Sequence, residues 1–76
     1  MRARLPALRG RAVIAALERG GFHVHHVKGS HHVLRHPSKP RARVVVPVHR
    51  GDLPIGTLRC IIKQAGLTVD EFLDLL

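Results

Sequence analysis

The chain has no tryptophan and no tyrosine, and its only phenylalanines are Phe22 and Phe72. A core built around aromatic rings is excluded, so Val, Ile, Leu and Ala must fill the interior. The single cysteine, Cys60, has no partner for an internal disulfide, which excludes a disulfide scaffold. Its place among apolar residues on an expected helix assigns it to the core rather than to nucleophilic chemistry. No apolar run, Val44-Val45-Val46-Pro47-Val48 included, approaches the roughly 20 residues needed to span a bilayer. The sequence also lacks a charged-then-apolar leader and a long amphipathic helix with aromatic anchors, so no membrane association and a cytoplasmic location are expected.

Negative charge is scarce as well. Five Asp and Glu stand against 13 Lys and Arg, for a net charge of +8 on 76 residues. Between Arg19 and Gly51 there is no acidic residue at all, while Arg19, Lys28, Arg35, Lys39, Arg41, Arg43, Arg50 and every histidine fall there. A field of that sign draws in polyanions, and nucleic acid is the first partner to consider. The length allows one domain with a modest core, burying roughly 60% of the unfolded chain's surface. The expected division is a basic arm over residues 1–9 and a single domain over residues 10–76. The arm, with three arginines and Pro6 between Met1 and Gly10, is either mobile or a strap that lays Leu5 and Leu8 on the body.

Periodicity gives the elements. Val13, Ile14, Ala16 and Leu17 follow helical spacing from Arg11 to Arg19, and Gly20-Gly21 supplies a stop. Phe22 to Lys28 and His31 to His36 read as strands joined by the turn Gly29-Ser30. Pro37-Ser38-Lys39-Pro40 is turn chemistry, and the β-branched run from Arg43 to Val48 is a third strand, with Pro47 marking an edge or a terminus. Leu58, Ile61, Ile62 and Ala65 then repeat as on a helix that starts near Pro54 and ends at Gly66. Thr68 and Glu71 match a capping box opening a short helix through Leu73 and Leu76. The expected fold is α+β: an α-β-β-β-α order with a three-stranded antiparallel sheet, covered on one face by helices, plus a short C-terminal helix.

The uncovered face is where the basic and histidine residues meet a ligand. Strand alternation sends His31, Val33 and Arg35 one way and His32, Leu34 and His36 the other. Burying Leu34 puts His31 and Arg35 outward; Val33 takes Leu34's place if the register is reversed. Histidine suits RNA cleavage, which needs one proton removed from the 2′-hydroxyl and one delivered to the departing 5′-oxygen, because the residue type titrates near about 6.5. Lys28 or Arg35 would offset the charge that builds on the phosphate, and the amides of Gly29-Ser30 would hold it. Three other readings stand beside this one. The hairpin is a solvated polar surface; the histidines bind a metal, although no carboxylate or thiolate shares their segment; or Ser30 is a nucleophile, although no nucleophile elbow surrounds it.

The order of the motifs adds to this. Gly21-Phe22, Lys28-Gly29-Ser30-His31-His32, Arg35-His36-Pro37, Val46-Pro47-Val48-His49, Asp52-Leu53-Pro54-Ile55-Gly56-Thr57-Leu58 and Ile62-Lys63-Gln64-Ala65-Gly66-Leu67 follow one another. Taken together they resemble the HicA (YcfA-like) toxin family from about Gly10 to Leu76. The resemblance implies a double-stranded-RNA-binding-domain-like fold and translation-independent cleavage of messenger RNA, held in check by a HicB-type antitoxin protein; the expected enzyme uses neither a metal nor a cofactor. It places the functional histidine of the Gly-Ser-His element at His31, with His32 as the alternate. Lys28, Gly29, Ser30, Arg35, Lys39, Arg41 and Arg43 are the expected RNA contacts. Leu34 stands where the family often has an aromatic ring. The rival functions are a non-catalytic RNA-binding module of the same fold, and a basic surface that docks an acidic protein partner.

Overall fold

A computed structural model describes residues 4–76. Residues 1–3, the beginning of the expected arm, lie outside it. The elements run in the order helix α1 (Gly10–Arg19), strands β1 (His23–Lys28), β2 (His31–His36) and β3 (Lys39–Pro47), and helices α2 (Ile55–Gln64) and α3 (Val69–Leu73). The three strands form one antiparallel sheet in the order β1-β2-β3, so β2 is central. This is the α-β-β-β-α arrangement with an open three-stranded sheet that periodicity predicts.

The interior is aliphatic, as the shortage of rings requires. Leu34, Val44 and Val46 from the sheet meet Val13, Ala16 and Leu17 of α1 and Leu58, Ile61 and Ile62 of α2 in one buried cluster that also takes in Phe22 and Phe72. Leu34 is completely buried, so a ring at this position would enter the core rather than stack on a base. The opposite sheet face carries no helix-packed apolar layer, but Val33, only 4% exposed, lies on it outside the main cluster.

The ends of the helices follow from local chemistry. Both α1 and α2 close with a pair of backbone bonds, Gly21 N–H to Glu18 O with Phe22 N–H to Leu17 O, and Gly66 N–H to Lys63 O with Leu67 N–H to Ile62 O. This Schellman pattern satisfies carbonyls that the helix itself leaves free. At α3 the capping box forms as expected, with Thr68 Oγ1 accepting from Glu71 N–H and Glu71 Oε1 accepting from Thr68 N–H. Pro54 stands at the N-cap of α2, one residue before the helix.

Two expectations about the fold change. The turn before β3 occupies only Pro37-Ser38, and β3 begins at Lys39 rather than Arg43, because a two-residue turn suffices once His36 pairs with Lys39. The ladder is irregular between Leu34 and His36, which absorbs the extra residues of β3. Cys60 is exposed, not a core filler. With Leu58, Ile61, Ile62 and Ala65 directed inward, a residue two positions after Leu58 turns about 200° around the helix axis, onto the outer side. The open question about the arm is answered from residue 4 onward: Leu5 is buried, Leu8 packs on the core, and Leu8 O accepts from Leu53 N–H at 2.7 Å, so this part is a strap.

Candidate active site on the open sheet face

The hairpin between β1 and β2 is built by two residues. Gly29 takes φ 59° while Ser30 stays at negative φ, the pattern of a type II′ turn, which needs glycine at its first central position. The turn fixes the register Lys28↔His31 and, with it, the face on which each residue lies. Lys28 and His31 are opposite one another and exposed. On the other flank His31 pairs with Pro47 of β3, and Ser30 O accepts from Val48 N–H at 2.7 Å, tying the turn to the end of β3. That end is held in turn by α1: a Cβ on Gly10 would collide with the Pro47 carbonyl, so the helix start rests against the strand beside His31.

Arg35 is on the same face as His31, half-buried, with Nη2 donating to Pro40 O at 3.2 Å. A guanidinium has five N–H donors, so this bond leaves others for a phosphate. Arg43 and Arg41 are exposed along β3. The sequence-derived group thus divides. His31, Lys28 and Arg35 share the open face with the Gly29-Ser30 turn at its end, while Lys39 is drawn away, its Nζ donating to Ala65 O at 3.2 Å and lying 5.6 Å from the centre of the Phe22 ring. Its cation serves the C-terminal end of α2, where free carbonyls attract positive charge.

The two neighbouring histidines are separated by the pleat. His31 is exposed on the open face, and His32, paired with Val27 and Val46, is half-buried on the helix side with Nδ1 buried and without a hydrogen-bond partner. Leaving a buried polar atom unpaired costs about 1–3 kcal/mol. His32→Leu is therefore expected to hold or raise the melting temperature, read by circular dichroism; a clear drop would show that the imidazole contributes contacts worth more than its orphaned nitrogen costs.

Sequence reasoning passed over two other histidine features. His36 Nδ1 accepts from Ser38 N–H at 3.0 Å and its Nε2 lies 3.1 Å from Gly20 O, so it bridges the β2–β3 turn to the end of α1, with its ring edge on Phe22. Gly21, at φ 96°, has no room for a Cβ because the His36 ring fills the space. On β1, a bulge between Val24 and His26 brings the rings of His25 and His26 together. Histidine spacing alone gave no sign of it.

A concavity of about 480 Å³ between α2 and α3, floored by Ile62 and rimmed by Arg59 and Lys63, contains none of these groups. The His31 face is a surface, which suits a polymer strand better than an enclosed small molecule. Among the described residues no group of three or more His, Cys, Asp or Glu side chains is placed to hold a metal ion, and no helix is long and apolar enough to cross a membrane.

Residues 10–67 match the family of the HicA toxin of bacterial toxin-antitoxin systems. The chain belongs to the HicA toxin family. The matched segment starts at the glycine that seats α1 on β3 and ends just after α2, so it holds the whole sheet, both long helices and every residue of the open face. As a HicA toxin the protein has an antitoxin counterpart. In a search of curated proteins the chain matches none.

Proposed function

We propose that this HicA-family toxin is an endoribonuclease that cuts messenger RNA in the cytoplasm with His31 as a general base or acid, using neither metal nor small-molecule cofactor. A HicB-type antitoxin neutralises it by covering the open sheet face. The observation that carries this reading is the placement of His31: exposed on the uncovered face, opposite Lys28, with Arg35 on the same face.

The chemistry follows from the groups present. In RNA the 2′-hydroxyl attacks the adjacent phosphorus, the bond from phosphorus to the 5′-oxygen breaks, and a 2′,3′-cyclic phosphate and a 5′-hydroxyl result. One proton leaves the 2′-oxygen and one reaches the 5′-oxygen, and a histidine exchanges either near neutral pH. Negative charge grows on the non-bridging oxygens, where Lys28 and Arg35 stabilise it. Arg41 and Arg43 extend the positive surface along β3 and hold the strand by its phosphates. A net charge of +8 makes that association salt-dependent.

The test uses purified wild-type protein and a long messenger RNA in EDTA. Expected are discrete fragments ending in cyclic phosphate, suppressed by an equimolar amount of the cognate antitoxin. RNA that stays intact while bound in a salt-dependent manner would replace this reading with the non-catalytic binding module.

A further inference from the structure

Cleavage of this kind needs two proton transfers, at oxygens on opposite sides of the phosphorus, and one imidazole cannot stand at both. The bulge in β1 bears on this. Val24 pairs with Leu34 and His26 with Val33, so His25 is the inserted residue that opposes nothing. Without it, alternation from the core-facing Val24 would turn His26 toward the helices. With it, His26 shares the face of Val33, Lys28 and His31. Bulges re-aim side chains in this way and are over-represented beside active sites.

His26 is then the diagonal neighbour of His31 across the β1–β2 ladder, a separation of roughly 7–8 Å between backbone positions. Each ring must come within about 2.6–3.2 Å of the oxygen it serves, and rings on a strand diagonal reach two oxygens that flank one phosphorus. His26 is also held by a neighbour: its Nδ1 lies 2.8 Å from Nδ1 of His25, with the rings 5.1 Å apart and nearly perpendicular. Only one proton fits between the two nitrogens. When His26 provides it, His25 accepts, and the bond holds the His26 ring in place with Nε2 left for the substrate. Lys28 is directly opposite His31, but an ammonium, as a residue type, releases protons near about 10.4 and is poorly matched to donation at neutral pH.

We propose that His26 is the second catalytic residue of this site, the general acid that protonates the departing 5′-oxygen while His31 takes the proton from the 2′-hydroxyl, with His25 positioning the His26 ring. This rests on the ribonuclease reading above. In the balanced step His31 gains the 2′-proton, the bond from the 2′-oxygen to phosphorus forms, the bond to the 5′-oxygen breaks, and His26 Nε2 delivers its proton to that oxygen.

The experiment first maps a cleavage site of the wild-type protein in messenger RNA. It then presents two oligoribonucleotides around that site, one natural and one with sulfur replacing the bridging 5′-oxygen. A thiolate departs without protonation, so the sulfur substrate bypasses a missing acid but not a missing base. On the natural substrate, His26→Ala and His31→Ala are each expected to lose about 10²–10⁴-fold in rate, with folding checked by circular dichroism. On the sulfur substrate His26→Ala is expected to recover to within a few-fold of wild type while His31→Ala stays slow. Wild-type speed of His26→Ala on natural RNA would overturn the assignment, as would an equal loss on both substrates by a folded variant. If wild type cleaves no RNA, the ribonuclease reading falls first and this inference with it; if wild type cleaves and His26 is dispensable, only the inference falls.

Discussion

His31→Ala is expected to cleave RNA about 10²–10⁴-fold more slowly than the wild-type chain while melting at nearly the same temperature. The two halves of that expectation come from different observations. The rate loss follows from removing the proposed proton-transfer group, set on the open face beside Lys28 and Arg35. The unchanged stability follows from exposure: among the described residues His31 makes no side-chain hydrogen bond, and it stands outside the buried cluster. RNA binding should also survive, because the proposed phosphate contacts from Lys28, Arg35, Arg41 and Arg43 would carry most of the affinity, to which one imidazole would add little. The informative combination is a folded variant that binds RNA and does not cut it. A His31→Ala protein that cuts at the wild-type rate would move the chemistry elsewhere on the surface.

How much of this was visible in the residues depends on the range of the interaction involved. The turn at Gly29-Ser30, the capping box at Thr68 and the helical stripe of α2 are local, and the sequence states each of them within a few positions. The choice between His31 and His32 turns on which of Val33 and Leu34 faces the helices, and the pattern favoured Leu34 without deciding it. The structure explains the ambiguity: Val33 is 4% exposed on the open face, buried under neighbouring side chains rather than under a helix. Two apolar residues in succession both found burial, so alternation could not separate them. The bulge at His25 was invisible because a single inserted residue leaves no compositional trace in a strand already rich in histidine. Lys39 looked like one more surface cation, and only the long-range meeting of β3 with the end of α2 shows that its charge is committed to Ala65 O. Cys60 was misplaced for a simpler reason: apolar neighbours in sequence say little about the azimuth of a residue on a helix.

The last large effect lies farthest from the site. Phe72→Ala is expected to lower the melting temperature by more than about 10 °C. Helix α3 has only five residues, Val69–Leu73, and a helix of that length has no stability of its own in water. It is held by its capping box, by Arg19 Nη1 donating to Leu75 O at 2.8 Å, and above all by Phe72, which is completely buried. In a chain with two phenylalanines, that ring is the largest single apolar contribution the C-terminal segment makes to the core. Phe→Ala in a core costs about 3–5 kcal/mol, against a total of about 4–11 kcal/mol for a domain of this size at ~0.05–0.15 kcal/mol per residue. At about 4–8 °C per kcal/mol for so small a domain, even the low end of that cost exceeds 10 °C. Phe72 and Leu34 belong to the same buried cluster, so the loss loosens the support of the strand that carries His31. Ending the chain after residue 67, where the family match stops, should do at least as much damage. Circular dichroism melts of both variants are the check. A Phe72→Ala protein melting within about 5 °C of wild type would mean that the sheet and the two long helices hold the open face without α3.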